Sequence, residues 1–178
     1  LYTGVIEEKT VLKVAKHEIH YNTLKIVVAD SEIEVTKNHR MYVKGVGYTQ
    51  AGTLKVGDIL INVHGEELAI QSIEEVENTG TKNVYNFIVE DNHNYFVGID
   101  SILVHNKCFV AGSKVLTANG LVNIEDVKVG DYVVTYNQAI GENEVQKVIS
   151  YYKPYTLYKN PLKTFNYYRI ILLLQHKT

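Results

Sequence analysis

The chain repeats itself, and the repeat has the form of a turn feeding a strand. Gly47 to Leu60 reads GYTQAGTLKVGDIL, and Gly120 to Val133 reads GLVNIEDVKVGDYV. Each copy opens on Gly and carries an aligned Lys-Val-Gly-Asp followed by apolar residues. Gly and Asp are turn formers, Gly through its free φ and Asp through side-chain bonds to its own backbone. The pair therefore predicts a duplicated β subdomain with two pseudo-equivalent halves. A looser echo links Gly4–Ile26 with Gly141–Phe165, so the chain is expected to run past its own beginning.

Short runs rich in β-branched and aromatic residues surround the repeat: Leu24–Ala29, Glu32–Thr36, Met41–Val43, Val84–Val89, Tyr95–Gly98 and Asp131–Tyr136. Turn residues separate them, and no long 3.6-residue periodicity competes, so the expectation is an all-β fold. The 14 Tyr and only two Pro lean the same way. With 46% apolar residues a packed core is feasible.

A net charge of −2 gives no electrostatic case for a nucleic-acid partner, even for the Lys-bearing Tyr151–Tyr168 stretch with Arg169 behind it. The apolar run Ile170–Leu174 is far too short to span a bilayer, so no membrane partner is expected. One Cys excludes an intrachain disulfide and a Cys-based zinc cluster. His17, His20, His64 and His176 join no motif, and neither a metal nor a cofactor is expected. The chain starts at Leu1 and is expected to be a fragment or a processed product. A lone thiol is easiest to keep reduced inside a cell, so a cytoplasmic setting is the expectation from this residue.

The centre of the chain carries the chemistry. Cys108–Gly120 (CFVAGSKVLTANG) resembles the first motif of a Hint domain, the autoprocessing fold of inteins, bacterial intein-like domains and hedgehog proteins. The following IEDVKVGDYVVTYN resembles that family's next stretch. Val35–His39 (VTKNH) resembles its Thr-x-x-His motif. Val84–Gly98 (VYNFIVEDNHNYFVG) and Ile102–Asn106 (ILVHN) resemble its last two motifs. The resemblance implies a Hint-type horseshoe of short strands and self-cleavage without a cofactor.

It also implies roles. Cys108 is the nucleophile, its thiol attacking the Lys107 carbonyl to turn the Lys107–Cys108 amide into a thioester. An amide nitrogen leaves poorly, so an acid must protonate it; His39 takes that role, with Thr36 holding the scissile amide through its hydroxyl. Asn106 makes the second cut: its side-chain nitrogen attacks its own carbonyl, closing a five-membered succinimide and breaking the Asn106–Lys107 bond. His105 polarises that carbonyl or steadies the leaving nitrogen, His93 serves as base, and Asp91 tunes the Cys or the histidines.

The motifs stand in an unusual order. In the family the Cys motif opens the domain and His-Asn closes it, whereas here His105-Asn106 precedes Cys108 by a single intervening residue. Two origins are open: a piece of a tandem array, or a permuted domain that closes on itself. From Asn106 to Cys108 an extended chain spans about 7 Å, so a one-residue joint is feasible. The expected organisation is the C-terminal part of a Hint domain over 1–106, the N-terminal part over 108–165, and an irregular tail over 166–178. Lys107 stands where splicing needs Ser, Thr or Cys directly after the terminal Asn, which favours cleavage over ligation. The expected partners are flanking polypeptide segments in cis. The rival expectations are an inert Hint-like remnant and a segment-swapped homodimer assembling through strand edges.

Overall fold

A computed structural model describes residues 5–137. The Gly141–Phe165 echo, the Tyr151–Tyr168 stretch, His176 and the tail at 166–178 lie outside the described residues.

Among the described residues the fold is built of strands and two single turns of 3₁₀ helix, with no α-helix. The first half holds β1 (Val5–Ile19), β2 (Thr23–Val28), β3 (Ser31–Val35), β4 (Arg40–Val43), β5 (Gly47–Gln50), β6 (Ile59–Ile61) and β7 (Glu67–Val76). Then follow β8 (Lys82–Val89), β9 (Asn94–Val97), β10 (Ile102–His105), β11 (Phe109–Val110), β12 (Lys114–Thr117), β13 (Gly120–Asn123) and β14 (Tyr132–Asn137). Every named pairing is antiparallel, as short connections require. The six expected runs are all strands, within a residue or two at their ends.

The two longest strands escape a reading based on apolar alternation. β1 (VIEEKTVLKVAKHEI) is mostly exposed, with only Val11 and Ile19 buried among its described side chains, and β7 buries only Ile70. Their backbones hold them. Val5–Thr10 of β1 pairs with β14, and its later part pairs with β8 after a shift at Val11/Lys13. The extra residue of that bulge, Leu12, turns outward. β7 bridges in the same way, pairing with β6 at one end and β2 along the other.

The sequence repeat is a structural repeat. β5, a 3₁₀ turn at Ala51–Thr53 and β6 correspond to β13, a 3₁₀ turn at Ile124–Asp126 and β14. In the first copy Asp58 accepts the Lys55 N–H at 2.8 Å; in the second Asp131 accepts the Lys128 N–H at 2.8 Å. Gly57 and Gly130 sit at φ 91° and 93° in these turns. Their N–H groups donate to Ile70 of β7 and Val11 of β1, and those residues donate back to Asp58 and Asp131. One core joins the halves, with Val11, Met41, Leu60, Ile70, Phe87, Phe109, Val115, Ile124 and Val133 all in it.

Candidate active site

The site forms where β11 enters the sheet. Phe109 pairs with Val35 of β3 on one side and Tyr85 of β8 on the other, so a two-residue strand fills the slot between them. Cys108 immediately precedes it, half-buried and packed against Ile19, Val84 and Val110. Burial pushes the Cys108 thiol up, and the neighbouring Lys107 charge offsets part of that rise. The resting group is therefore a thiol.

β3 delivers the second participant. After Val35 the chain turns through Thr36–His39, closed by the His39 N–H donating to the Thr36 carbonyl at 2.9 Å. The His39 carbonyl accepts from Ala51 at 2.6 Å, so the residue is anchored from both sides. Its ring is fully buried, with its centroid 4.1 Å from that of Phe109. Neither ring nitrogen has a hydrogen-bond partner. Burial pushes the imidazole down to about 3; the Cys108 main chain favours the charged ring without completing a hydrogen bond of normal geometry, while the charges of His105 and Lys107 oppose it. His39 is neutral near pH 7.

β10 delivers the third. It pairs with β9 and meets β4 at Met41, and it ends at His105 with Asn106 next. The Asn106 N–H donates to the His93 carbonyl at 3.0 Å, which ties the two motifs through the main chain. Asn106 Oδ1 and His105 Nδ1 are buried without partners. Burial pushes the His105 imidazole down, with the charges of Arg40, His93 and Lys107 adding to the effect against the Asn106 main chain. Of the six buried side-chain atoms left unpaired among the described residues, four belong to this site: two on His39 and one each on His105 and Asn106. Such orphans cost about 1–3 kcal/mol each.

Thr36 is buried, but its hydroxyl donates to Asn38 Oδ1 at 2.7 Å. His93 is exposed at φ 52°, and its carbonyl makes the link to Asn106. Asp91 is also exposed, and it pairs with Lys9 at 3.2 Å on the surface. No cluster of three or more His, Cys, Asp or Glu side chains among the described residues is arranged to hold a metal ion. A surface cleft lined by Tyr21, Asn22, Lys37, Asn38 and Glu75 includes none of His39, His105, Asn106 and Cys108.

One residue was missed. Tyr95 of β9 is fully buried, and its hydroxyl donates to the Lys107 carbonyl at 3.2 Å. A buried phenol needs a polar partner, so a Tyr within the apolar Tyr95–Val97 run was the available signal.

Comparison with known proteins follows the same lines. The family model for the pretoxin HINT domain matches residues 1–107. A solved bacterial intein-like domain from Clostridium thermocellum is similar with a TM-score of 0.54 at 36% identity, over 58% of this chain and 80% of that one. The gp41-1 intein is similar at 27% identity with a TM-score of 0.47, over 55% of this chain and 73% of that one. An uncharacterized protein of Methanocaldococcus jannaschii is 27% identical over 109 residues, 58% of this chain, and the chain spans 15% of that protein's length.

Proposed function

The chain belongs to the pretoxin HINT domain family, whose fold is that of autoprocessing domains, and we propose that it is a single-turnover self-cleaving domain acting at Lys107–Cys108 and Asn106–Lys107. The observation that supports this reading most is the approach of the Cys108 main chain, at the mouth of β11, to a fully buried His39 whose two ring nitrogens lack a hydrogen bond of normal geometry.

The first step is an N–S acyl shift. Cys108 Sγ attacks the Lys107 carbonyl carbon, and the C–N bond to Cys108 breaks. With the thiol pushed up and the imidazole pushed down, the resting pair is neutral. The proton moves from Sγ to His39 only as negative charge develops, and passes to the Cys108 nitrogen as that nitrogen leaves. Phe109 packs against the ring at a 57° tilt and limits its movement. Thr36 acts from behind, holding the turn through Asn38.

The second step is cyclisation of Asn106. Its Nδ2 attacks its own carbonyl carbon, the C–N bond to Lys107 breaks, and one Nδ2 proton passes to the leaving Lys107 nitrogen, giving a succinimide and a free amine. The His93 carbonyl fixes the Asn106 backbone, and His105, neutral through burial, lies next to the bond that breaks. Lys107 offers no hydroxyl or thiol to capture an acyl group, so the outcome is cleavage. In this reading residues 1–106 are the C-terminal part of the domain and the chain from Cys108 is its N-terminal part, closed in permuted order. Asp91 has no part in either step.

Intact mass spectrometry of the purified chain, with and without added thiol, tests the proposal. The expected result is a thiol-dependent break before Cys108 and a thiol-independent break after Asn106. Cys108→Ala should abolish the first and Asn106→Ala the second. An unbroken mass after long incubation with thiol would leave an inert remnant of the family and overturn the reading.

A further inference from the structure

The Tyr95 hydroxyl makes one hydrogen bond, and its acceptor is the carbonyl oxygen of the bond at which Cys108 is proposed to act. Nothing about this contact is incidental to the fold. Tyr95 pairs with Val104 in the β9–β10 ladder, so its strand is fixed by the same hydrogen bonds that present His105 and Asn106. Its ring lies 4.1 Å from that of Phe87 at a 31° tilt and 6.0 Å from that of Phe109. The phenol is thus clamped by aromatic neighbours on two sides, and its oxygen has little freedom to go elsewhere. The side chain is wholly removed from water.

We propose that Tyr95 is a catalytic residue of the acyl shift, its hydroxyl donating to the Lys107 carbonyl oxygen and stabilising the oxyanion that forms there when Cys108 Sγ attacks. The role rests on the acyl-shift reading above. As the Sγ–C bond forms, the carbonyl π pair moves onto oxygen. It returns when the C–N bond breaks, and the thiol proton ends on the Cys108 nitrogen. Tyr95 keeps its own proton throughout. Burial, with the nearby Cys108 adding, holds that phenol well above its ordinary range, so it remains a donor.

The length of the contact suits the task. At 3.2 Å it is longer than most O–H···O bonds, so the resting amide gains little from it. An oxyanion accepts a shorter and stronger bond than a neutral carbonyl does. The gain therefore falls on the transition state, where it lowers the barrier. The donor side is buried, since the Tyr95 side chain is wholly shielded from water, which strengthens the interaction further. Lys107 contributes its carbonyl whatever its side chain, so the device does not depend on which residue precedes Cys108.

The experiment compares the full chain with Tyr95→Phe, both carrying Asn106→Ala so that the neighbouring bond stays whole. The rate of the dithiothreitol-dependent break before Cys108 is followed by intact mass. Loss of one oxyanion donor should slow it by about 10²–10³-fold. Site-specific 3-fluorotyrosine at position 95, a stronger donor in nearly the same volume, should speed it. In a chain carrying Cys108→Ala, the ¹³C resonance of the Lys107 carbonyl should move upfield when Tyr95→Phe is added. Break rates within about threefold of the parent for both ring variants, or an unmoved carbonyl resonance, would overturn the assignment of Tyr95 alone. A parent chain that never breaks with thiol would overturn the acyl-shift reading, and the role of Tyr95 with it.

Discussion

His39 concentrates the cost of the site in one side chain. A buried imidazole loses its water and the Cys108 main chain offsets only part of that loss, which is why its pKa falls to about 3 from an ordinary 6.5. The sign for stability follows directly. Below pH 6.5 the unfolded chain takes up a proton that the folded chain refuses, so stability is complete above that pH and is lost as pH falls toward 3. Between pH 7 and 4 the loss from this residue alone is about 3 kcal/mol. His39→Leu keeps the volume and removes the orphan nitrogens. We expect it to abolish the thiol-dependent break, to be no less stable than the parent at pH 7, and to lose about 3 kcal/mol less on going to pH 4. Urea unfolding at the two pH values, in the Asn106→Ala background, checks this; equal acid sensitivity would show that His39 is solvated. The motif spacing was enough to nominate His39, Cys108 and Asn106, because those residues need only be near one another. It did not reveal that the Thr36 hydroxyl is spent on Asn38, that Asp91 faces Lys9, or that Tyr95 reaches Lys107. Each of those depends on which way a side chain turns, and a side chain's direction is set by packing that no local pattern encodes.

At the scale of elements, the Lys-Val-Gly-Asp turn is the clearest case of sequence dictating structure. Both copies need a residue at positive φ, an Asp reaching back three residues, and an exposed Val at the tip; Val56 and Val129 are each 64% exposed. A Cβ added at Gly57 or Gly130 would meet nothing within 4 Å, so Ala at either site carries only the conformational cost of about 1–2 kcal/mol. Gly57→Ala and Gly130→Ala should therefore destabilise equally. Gly98→Ala should cost more than either, because its Cβ would sit 2.7 Å from Ser31 Oγ as well as at φ 78°. Chemical denaturation of the three variants measures this. Costs at Gly57 and Gly130 differing by more than about 1 kcal/mol would mean that the halves are alike in outline only. β1 and β7 were illegible for the opposite reason. Few of their side chains are buried and several are charged, as in the Lys25–Glu74 pair between β2 and β7, and what holds them is the backbone ladder to partners distant in sequence. A ladder leaves no trace in a hydrophobic pattern.

For the molecule as a whole, the question is where the domain ends. The pretoxin HINT match stops at residue 107, yet the core does not. Phe109, Val115, Ile124, Val127 and Val133 all lie in the same cluster as Val11 and Phe87. Buried Asn94 acts as a further strand rung, its amide donating to the Tyr136 carbonyl at 2.7 Å and its oxygen accepting the Tyr136 N–H at 2.8 Å. Five apolar side chains at roughly 2 kcal/mol each amount to about 10 kcal/mol, comparable with the whole stability of an ordinary domain. A chain ending at Lys107 would lose them, leave the early part of β1 without β14, and open the slot between β3 and β8. We expect residues 1–107 alone to show no cooperative unfolding transition and poor amide dispersion. Adding a peptide of residues 108–137 carrying Cys108→Ala should restore both, with a stoichiometry of one to one. Such complementation is what a domain closing on its own C-terminal strands requires, and it would also supply the route by which two chains exchange segments. If residues 1–107 instead fold fully by themselves, the later strands are an accessory, and the thiol of Cys108 belongs to whatever domain follows it.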